Sequence, residues 1–397
     1  MLLVIPLSFY GGVMAQFHFG PELDAQIRPI LFARHSNGLD FGTLQQVYDF
    51  MNTQYARPDL SENDAFNGAA KGMVQLYLND KFGDRFSAYL TPDEFHKNQQ
   101  FLSGRFAGIG VTVRAKDGKV AIIDVLPDSP AQRAGVKAGD VITAIDGKSV
   151  DGVAITDVSD RIRGNADTTL KLTVSRAGQS MDFDITRKEI NAPSVRSKDV
   201  APGVLYIRIY EFGERTGDDF ETQLQQGLNR GDSRVILDLR GNGGGFVSAS
   251  DRVTSEFVQS GINVVTVGRD GKRDEHKVSG HGVAFSQKLV VLIDEGTASA
   301  SEIVAGALED NHRATLVGKK SFGKGSVQDD FVLRNGGDLH LTIAYWYRPN
   351  GETIERNGIT PDKDVALDKP ENAWDVVDAS SDPKADAQLQ AALTALK

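Results

Sequence analysis

Val290-Val291-Leu292-Ile293-Asp294-Glu295-Gly296-Thr297-Ala298-Ser299-Ala300-Ser301-Glu302 is the stretch on which the fold turns. Its four leading apolar residues read as a short buried strand, and the residues from Ser299 to Glu309 read as a helix. A strand that passes through a tight turn into a helix exposes a side chain at the strand end. It also aims helix N–H groups at the same spot, where they can hold a developing oxyanion. Ala298 and Ala300 are small enough to let another backbone come close. A plainer reading exists: Ser299 with Glu302 three residues on is a capping box, which needs no catalysis. Both readings stay open on this stretch alone.

Working outward, Val235 to Leu239 is a second short apolar strand, followed by Arg240-Gly241-Asn242-Gly243-Gly244-Gly245. So dense a run of glycine brings backbone close to something or makes a strained turn. A merely flexible loop would not need Asp238 and Arg240 beside it. Val204 to Tyr210 is strand-like and Asp218 to Leu228 helical. The alternation predicts an α/β core with a largely parallel sheet over residues 190–365.

Within that core, Gly318-Lys319-Lys320-Ser321-Phe322-Gly323-Lys324-Gly325 approaches the spacing of a phosphate-binding loop. Gly325 stands where a Ser or Thr would ligate magnesium, and no clear helix follows, so the nucleotide reading fails. A lysine between two glycines in apolar surroundings has another use. Removed from water, its pKa falls from about 10.4 toward roughly 7–8, and the neutral amine becomes a base. The bland counterpart is an exposed turn lysine.

The rest of the chain sorts into further units. Within residues 1–20, Met1 to Val13 is mostly apolar and Val13-Met14-Ala15 sits where a signal peptidase would cut, which reads as a secretory signal or a membrane anchor lacking its usual basic start. Residues 36–100 are helical, with Leu44, Val47, Phe50 and Met51 at helical spacing and the pattern repeated from Phe66 to Leu78. From 101 to 188 short strands alternate with turns: Gly108 to Val113, Val120 to Val125, and a strand entering the Asp146-Gly147 turn. A helix starts at Ser129-Pro130 and stops at Gly135, and another spans Ile155 to Ile162. Residues 366–397 form a turn-rich acidic tail with a short helix from Ala385 to Leu396. Its Leu389, Leu393 and Leu396 make a packing or dimer face.

Composition excludes several classes. The 397 residues are 40% hydrophobic and 25% charged, an ordinary globular balance for two or three domains. A net charge of −10, from 44 basic and 54 acidic residues, argues against nucleic-acid binding. With no cysteine, disulfides, thiolate metal sites and cysteine nucleophiles are excluded. No metal site is implied, because no His-Glu-x-x-His run occurs and the carboxylate clusters read as solvated turns. No cofactor is expected.

Two resemblances connect these pieces. Residues 101–188 resemble a PDZ domain, carried by Gly108-Ile109-Gly110-Val111 and by Ser129-Pro130-Ala131 with Ala134-Gly135-Val136-Lys137-Ala138-Gly139-Asp140. That implies a β-sandwich-like unit whose glycine turn captures a C-terminal carboxylate and whose strand edge accepts an extended peptide. Three other blocks resemble the signatures of the carboxyl-terminal processing (tail-specific) proteases. They are Asp238-Leu239-Arg240 with Gly244-Gly245, Thr297 to Glu302, and Phe322-Gly323-Lys324-Gly325-Ser326-Val327-Gln328. Gly243 stands where many relatives carry proline, and Gly83-Asp84-Arg85-Phe86-Ser87 departs from a proline-containing version.

The resemblance implies a serine endopeptidase with Ser299 as nucleophile, Lys324 as general base and Gln328 orienting the lysine amine. The oxyanion hole would be the Ala300 N–H with that of Gly244 or Gly245. Seven histidines are present; His312, between the serine and lysine blocks, offers a competing Ser-His-Asp arrangement. The resemblance implies peptide or protein substrates with apolar C-termini and a periplasmic or other extracytoplasmic location. The sequence leaves open an adaptor protein, a homodimer through the terminal helices, and membrane association through the N-terminus.

Overall fold

The computed structural model describes residues 41–397 except 58–59, 103–104, 117–118, 154, 192, 370–371 and 379–380. The signal-like segment 1–20 and the first residues of the predicted helical region lie outside the described residues. In chain order, the N-terminal part comprises α1 (Phe41–Gln54), α2 (Glu62–Lys71), a π-helical turn (Gly72–Leu76), α3 (Tyr77–Phe82), β1 (Ala88–Leu90) and α4 (Pro92–Leu102). The PDZ-like unit follows with β2 (Arg105–Gly108), β3 (Val111–Lys116), β4 (Lys119–Val125), α5 (Pro130–Ala134), β5 (Val141–Ile145), β6 (Lys148–Ser149), α6 (Ile155–Ile162), β7 (Thr169–Arg176), β8 (Gln179–Thr186) and β9 (Lys188–Asn191). The core holds β10 (Val195–Ala201), β11 (Val204–Ile209), α7 (Thr216–Asn229), β12 (Arg234–Asp238), α8 (Val247–Ser255), β13 (Ile262–Gly268), β14 (Arg273–Lys277), β15 (Lys288–Ile293), α9 (Ala300–Asp310), β16 (Thr315–Gly318), β17 (Ser326–Val332), β18 (Asp338–Tyr347) and β19 (Lys363–Asp364), and α10 (Ala387–Ala395) closes the chain.

The central sheet runs β10-β11-β12-β15-β16-β19. Its first pair is antiparallel and the other four pairs are parallel. Because strand side chains alternate faces, Val235, Leu237, Val291 and Ile293 meet α7, α8 and α9 on one side. Ile236, Val290 and Leu292 meet Trp374 and α10 on the other. Both faces are covered, which is why these strands read as unbroken apolar runs. Leu389, Ala392 and Leu396 are buried in that second layer. The C-terminal helix is therefore a packing element, and its apolar side is spent on the sheet.

The PDZ-like unit is one antiparallel sheet, β3-β4-β5-β7-β8, with β6 beside β5 and α5 and α6 packed against it. Gly135, at φ 91°, ends α5 as its sequence suggests. The β2–β9 pair ties the unit's entry and exit together.

A second core sheet went unread in the sequence. β1, β18, β13 and β14 form an antiparallel path, with β17 on the outside of β18. It draws strands from the middle and the end of the protease region and from the N-terminal part, so no local pattern announces it. Among the described residues no helix is long and apolar enough to cross a membrane. The N-terminal helices leave large apolar side chains in water, including Phe50 at 67% and Leu76 at 66% exposure.

Candidate active site

Ser299 sits where β15 turns into α9, with φ 55° and ψ −120°. A non-glycine residue in that region is strained by about 1–3 kcal/mol, and such strain persists only where the surroundings over-determine it. Here they do. Thr297 Oγ1 donates to the Leu239 carbonyl at 2.9 Å, and the Gly241 N–H donates to Asp294 Oδ1 at 2.8 Å. The Asn242 carbonyl accepts the Ala298 N–H at 2.9 Å and the Ser301 hydroxyl at 3.0 Å. The serine turn and the glycine loop are thus one stitched unit.

Gly244 and Gly245 are both needed, for different reasons. At Gly244 a Cβ would lie 2.7 Å from Ser299 Cβ and 3.0 Å from the Ala300 nitrogen, so this glycine is the one against the serine. Its N–H donates to Asn242 Oδ1 at 2.9 Å. A Cβ at Gly245 would instead collide with the Phe212 carbonyl. Ala300 is buried at the first position of α9. Asp238 and Arg240 anchor the base of the loop as a buried ion pair at 2.6 Å, and Arg240 also reaches Asp386 at 2.9 Å.

The fully buried Glu302 joins the serine and lysine blocks. Its Oε2 accepts the N–H of Ser299 and that of Lys324, each at 2.9 Å. Its Oε1 accepts the Ser321 hydroxyl at 2.5 Å and the Gly323 N–H at 2.8 Å. Burial pushes this carboxyl up from its ordinary range, and the four hydrogen bonds oppose the shift. The predicted capping box between Ser299 and Glu302 forms, and the same carboxylate does more than cap. Two backbone nitrogens on one oxygen lie within about 6 Å of each other.

The Lys324 main chain is pinned at both ends, since Trp346 Nε1 donates to its carbonyl at 3.0 Å. Its glycine neighbours are required by crowding. A Cβ at Gly323 would meet the Gly358 nitrogen at 2.8 Å, and one at Gly325 the Glu355 nitrogen at 2.8 Å. The Lys324 ammonium lies 4.8 Å from the centre of the Phe86 ring. Burial pushes the amine down from the usual lysine range, against the pull of Glu355, Asp84 and Glu302. Phe86 was invisible in sequence as a site residue because it comes from a different unit of the chain.

Other predicted residues are placed as follows. Gln328 on β17 donates its amide nitrogen to Ser326 Oγ at 2.8 Å and Thr342 Oγ1 at 3.0 Å, so those two groups, rather than Lys324, hold it. His312 is exposed beyond the far end of α9, about 16 Å of helix from Ser299. The Ser-His arrangement does not form. Strand β17 starts at Ser326, where a phosphate loop would need a helix. In the PDZ-like unit, Ile109 is buried and its carbonyl accepts the Ala131 N–H at 2.9 Å. Gly110, at φ 80°, packs against Ser129 where a Cβ would not fit. Val111 opens β3, an edge strand of its sheet with α6 beside it. Gly108 closes β2.

Comparison with known proteins agrees with this assembly. Residues 203–365 match Peptidase family S41, and residues 122–176 match the PDZ domain. The carboxy-terminal-processing protease of Bartonella bacilliformis is 36% identical over 339 residues, covering 82% of this chain and 75% of its own. The carboxy-terminal processing protease CtpA of Bacillus subtilis is 32% identical, covering 81% of this chain and 68% of its own. Among solved structures, the photosystem II D1 C-terminal processing protease superposes with a TM-score of 0.51 at 28% identity, over 83% of this chain and 88% of that one. With residues 203–365 matching the peptidase family, the PDZ match ahead of them and a relative 36% identical over most of both chains, the chain belongs to the S41 family of carboxy-terminal processing proteases, and is a serine-type peptidase.

Proposed function

We propose that this peptidase cleaves by a Ser299–Lys324 dyad through an acyl-enzyme. Neutral Lys324 takes the Ser299 proton as Oγ attacks the scissile carbonyl, and the protonated lysine then donates to the leaving amine. Water, activated by the lysine in turn, hydrolyses the ester. The Ala300 N–H at the start of α9 and an amide of the glycine loop stabilise the oxyanion. Gly244 is the nearer glycine, and it serves once its N–H is released from Asn242; Gly245 is the alternative. Gln328 contributes by holding the strand beside the lysine. The observation that carries this reading is the shared Glu302 oxygen, which seats Ser299 and Lys324 together.

The PDZ edge strand β3 and its glycine turn suit an apolar C-terminus as the docking signal. Arg114 on that strand pairs with Asp375 at 3.2 Å and Asp378 at 3.1 Å, from the segment beyond the protease core. A bound C-terminus would compete with that contact, which supports a gating role. An extracytoplasmic location rests on the signal-like N-terminus, and a homodimer on the exposed apolar faces of α1 and α3.

The test compares wild type, Ser299→Ala and Lys324→Ala on an unstructured protein ending in apolar residues. Cleavage by wild type, with at least about a 10⁴-fold loss in both folded variants, is the expected result. Equal cleavage by all three would remove the dyad. Binding of the C-terminal peptide without cleavage by any form would leave a scaffold. If a chain lacking residues 104–187 cleaves no faster and keeps its selectivity, gating and delivery are both wrong.

A further inference from the structure

The antiparallel sheet carries a carboxylate cluster that the peptidase chemistry does not use. Asp330 on β17 and His340 on β18 are ladder partners, with His340 Nδ1 2.6 Å from Asp330 Oδ1. Both side chains are 30% exposed, so they form a rim. Asp338 lies two residues back along β18 and therefore on the same face. It is wholly buried, and among the described residues neither of its carboxylate oxygens meets an N–H or O–H donor; the Asp330 carboxyl is the polar group that faces it. Its ladder neighbours are Val332 and Leu90, whose side chains offer no donor. The three ligand atoms lie within 4.8 Å of one another.

A buried carboxylate without a donor is expensive to keep, and native proteins rarely leave one. Burial and the facing Asp330 carboxylate hold Asp338 well above the usual carboxylate range, with His340 pulling the other way. The orphaned oxygens need a positive partner.

We propose that Asp330, Asp338 and His340 form a three-ligand site for a divalent transition-metal ion of the zinc class. Two carboxylates and one neutral imidazole balance a 2+ charge, and the imidazole selects zinc-like ions over calcium or magnesium. Calcium would ask for six or more oxygens, which this face does not supply. Only a small motion is required. The 2.6 Å contact between His340 and Asp330 opens to about 3.4 Å when both atoms sit about 2.1 Å from a tetrahedral ion. Water fills the fourth position from the exposed rim. The sequence placed such carboxylates in solvated turns; Asp338 is instead the floor of a strand pair, which only the fold reveals. Gln328 and Thr342 are the next pair on this face of the hairpin, so the ion would clamp the strands that carry them.

The rival occupant is a proton shared between Asp338 and Asp330. Untagged full-length protein, stripped with a chelator, is dialysed against zinc at neutral pH, and bound metal is counted alongside a thermal melt. The expected result is about one zinc per chain with a rise in Tm of several degrees. Asp338→Asn and His340→Gln should each bind roughly 100-fold more weakly and lose the shift. Metal-free Asp338→Asn should melt no lower than metal-free wild type, since the amide removes an unpaired charge. Absence of stoichiometric zinc in wild type would assign the cluster to a proton and overturn the site. So would zinc binding as tight as wild type in either folded variant.

Discussion

Ser299 and Lys324 are held by opposite means. The serine is fixed through its backbone, with a positive φ, a glycine loop pressed against its Cβ and a helix starting beside it. The lysine backbone is fixed too, but its chemistry comes from surroundings: a ring under the ammonium and little water. In the proposed dyad, geometry makes the nucleophile and solvation makes the base. Perturbing one side should leave the other's signature intact.

The largest separable effect is expected from Gly244→Ala, which acts only on the serine side. The new Cβ must push Ser299 or the Ala300 amide, and the residue must hold φ 104°. A displacement of this kind costs about 10²–10³ in kcat, and the kinetic pH profile should keep its midpoint. A shifted midpoint would mean that the two sides are not independent.

Glu302→Gln touches both sides, because one oxygen holds both backbones. An amide offers one oxygen where the carboxylate offers two, so two of the four donors lose their acceptor. A loss of about 100-fold in kcat/KM is expected, with about 2–3 kcal/mol lost from stability, measured by denaturant melts. Unchanged activity would leave Glu302 as a helix cap and nothing more.

Phe86→Ala acts only on the lysine side and should have the smallest effect. Two consequences compete. Losing the ring removes a cation–π contact, which lowers the lysine pKa, and admits water, which raises it. Desolvation is the dominant influence on Lys324, so hydration wins and the pKa climbs. In the proposed dyad the neutral amine is the active form, so the rising limb of activity moves to higher pH. About a tenfold loss at neutral pH should recover in alkaline buffer. A loss that persists at high pH would sink the solvation argument.

The same contrast explains what the sequence disclosed. The parallel sheet and its helices are legible because the inner strands β11, β12 and β15 are buried on both faces, and Val235, Ile236, Val290 and Val291 announce it locally. The serine turn, the glycine loop and Lys324 are legible because their residue types are imposed by close backbone contacts. Phe86 and the Asp330–Asp338–His340 face are not, because β1, β17 and β18 meet only through pairings distant in sequence. Leu389 and Leu396 illustrate a different limit. Their helical spacing is clear, yet nothing local says whether the apolar side meets the chain's own sheet or a second copy. Gln328 is a third case, in which a role implied by resemblance meets bonds to Ser326 and Thr342 that no motif encodes.

The arginine under the glycine loop has a consequence for the timing of synthesis. Arg240 is buried against Asp386 and Gln388, and Gln388 comes 148 residues later in the chain. At about 5–20 residues per second, the loop waits roughly 7–30 s for those partners. Until they arrive the guanidinium keeps only Asp238, and the floor of the serine turn is unfinished. The PDZ domain, whose residues all precede the core, meets no such delay. On the proposed function, a newborn chain therefore completes the domain that would recognise a C-terminus before it completes the floor of the turn that would cut one.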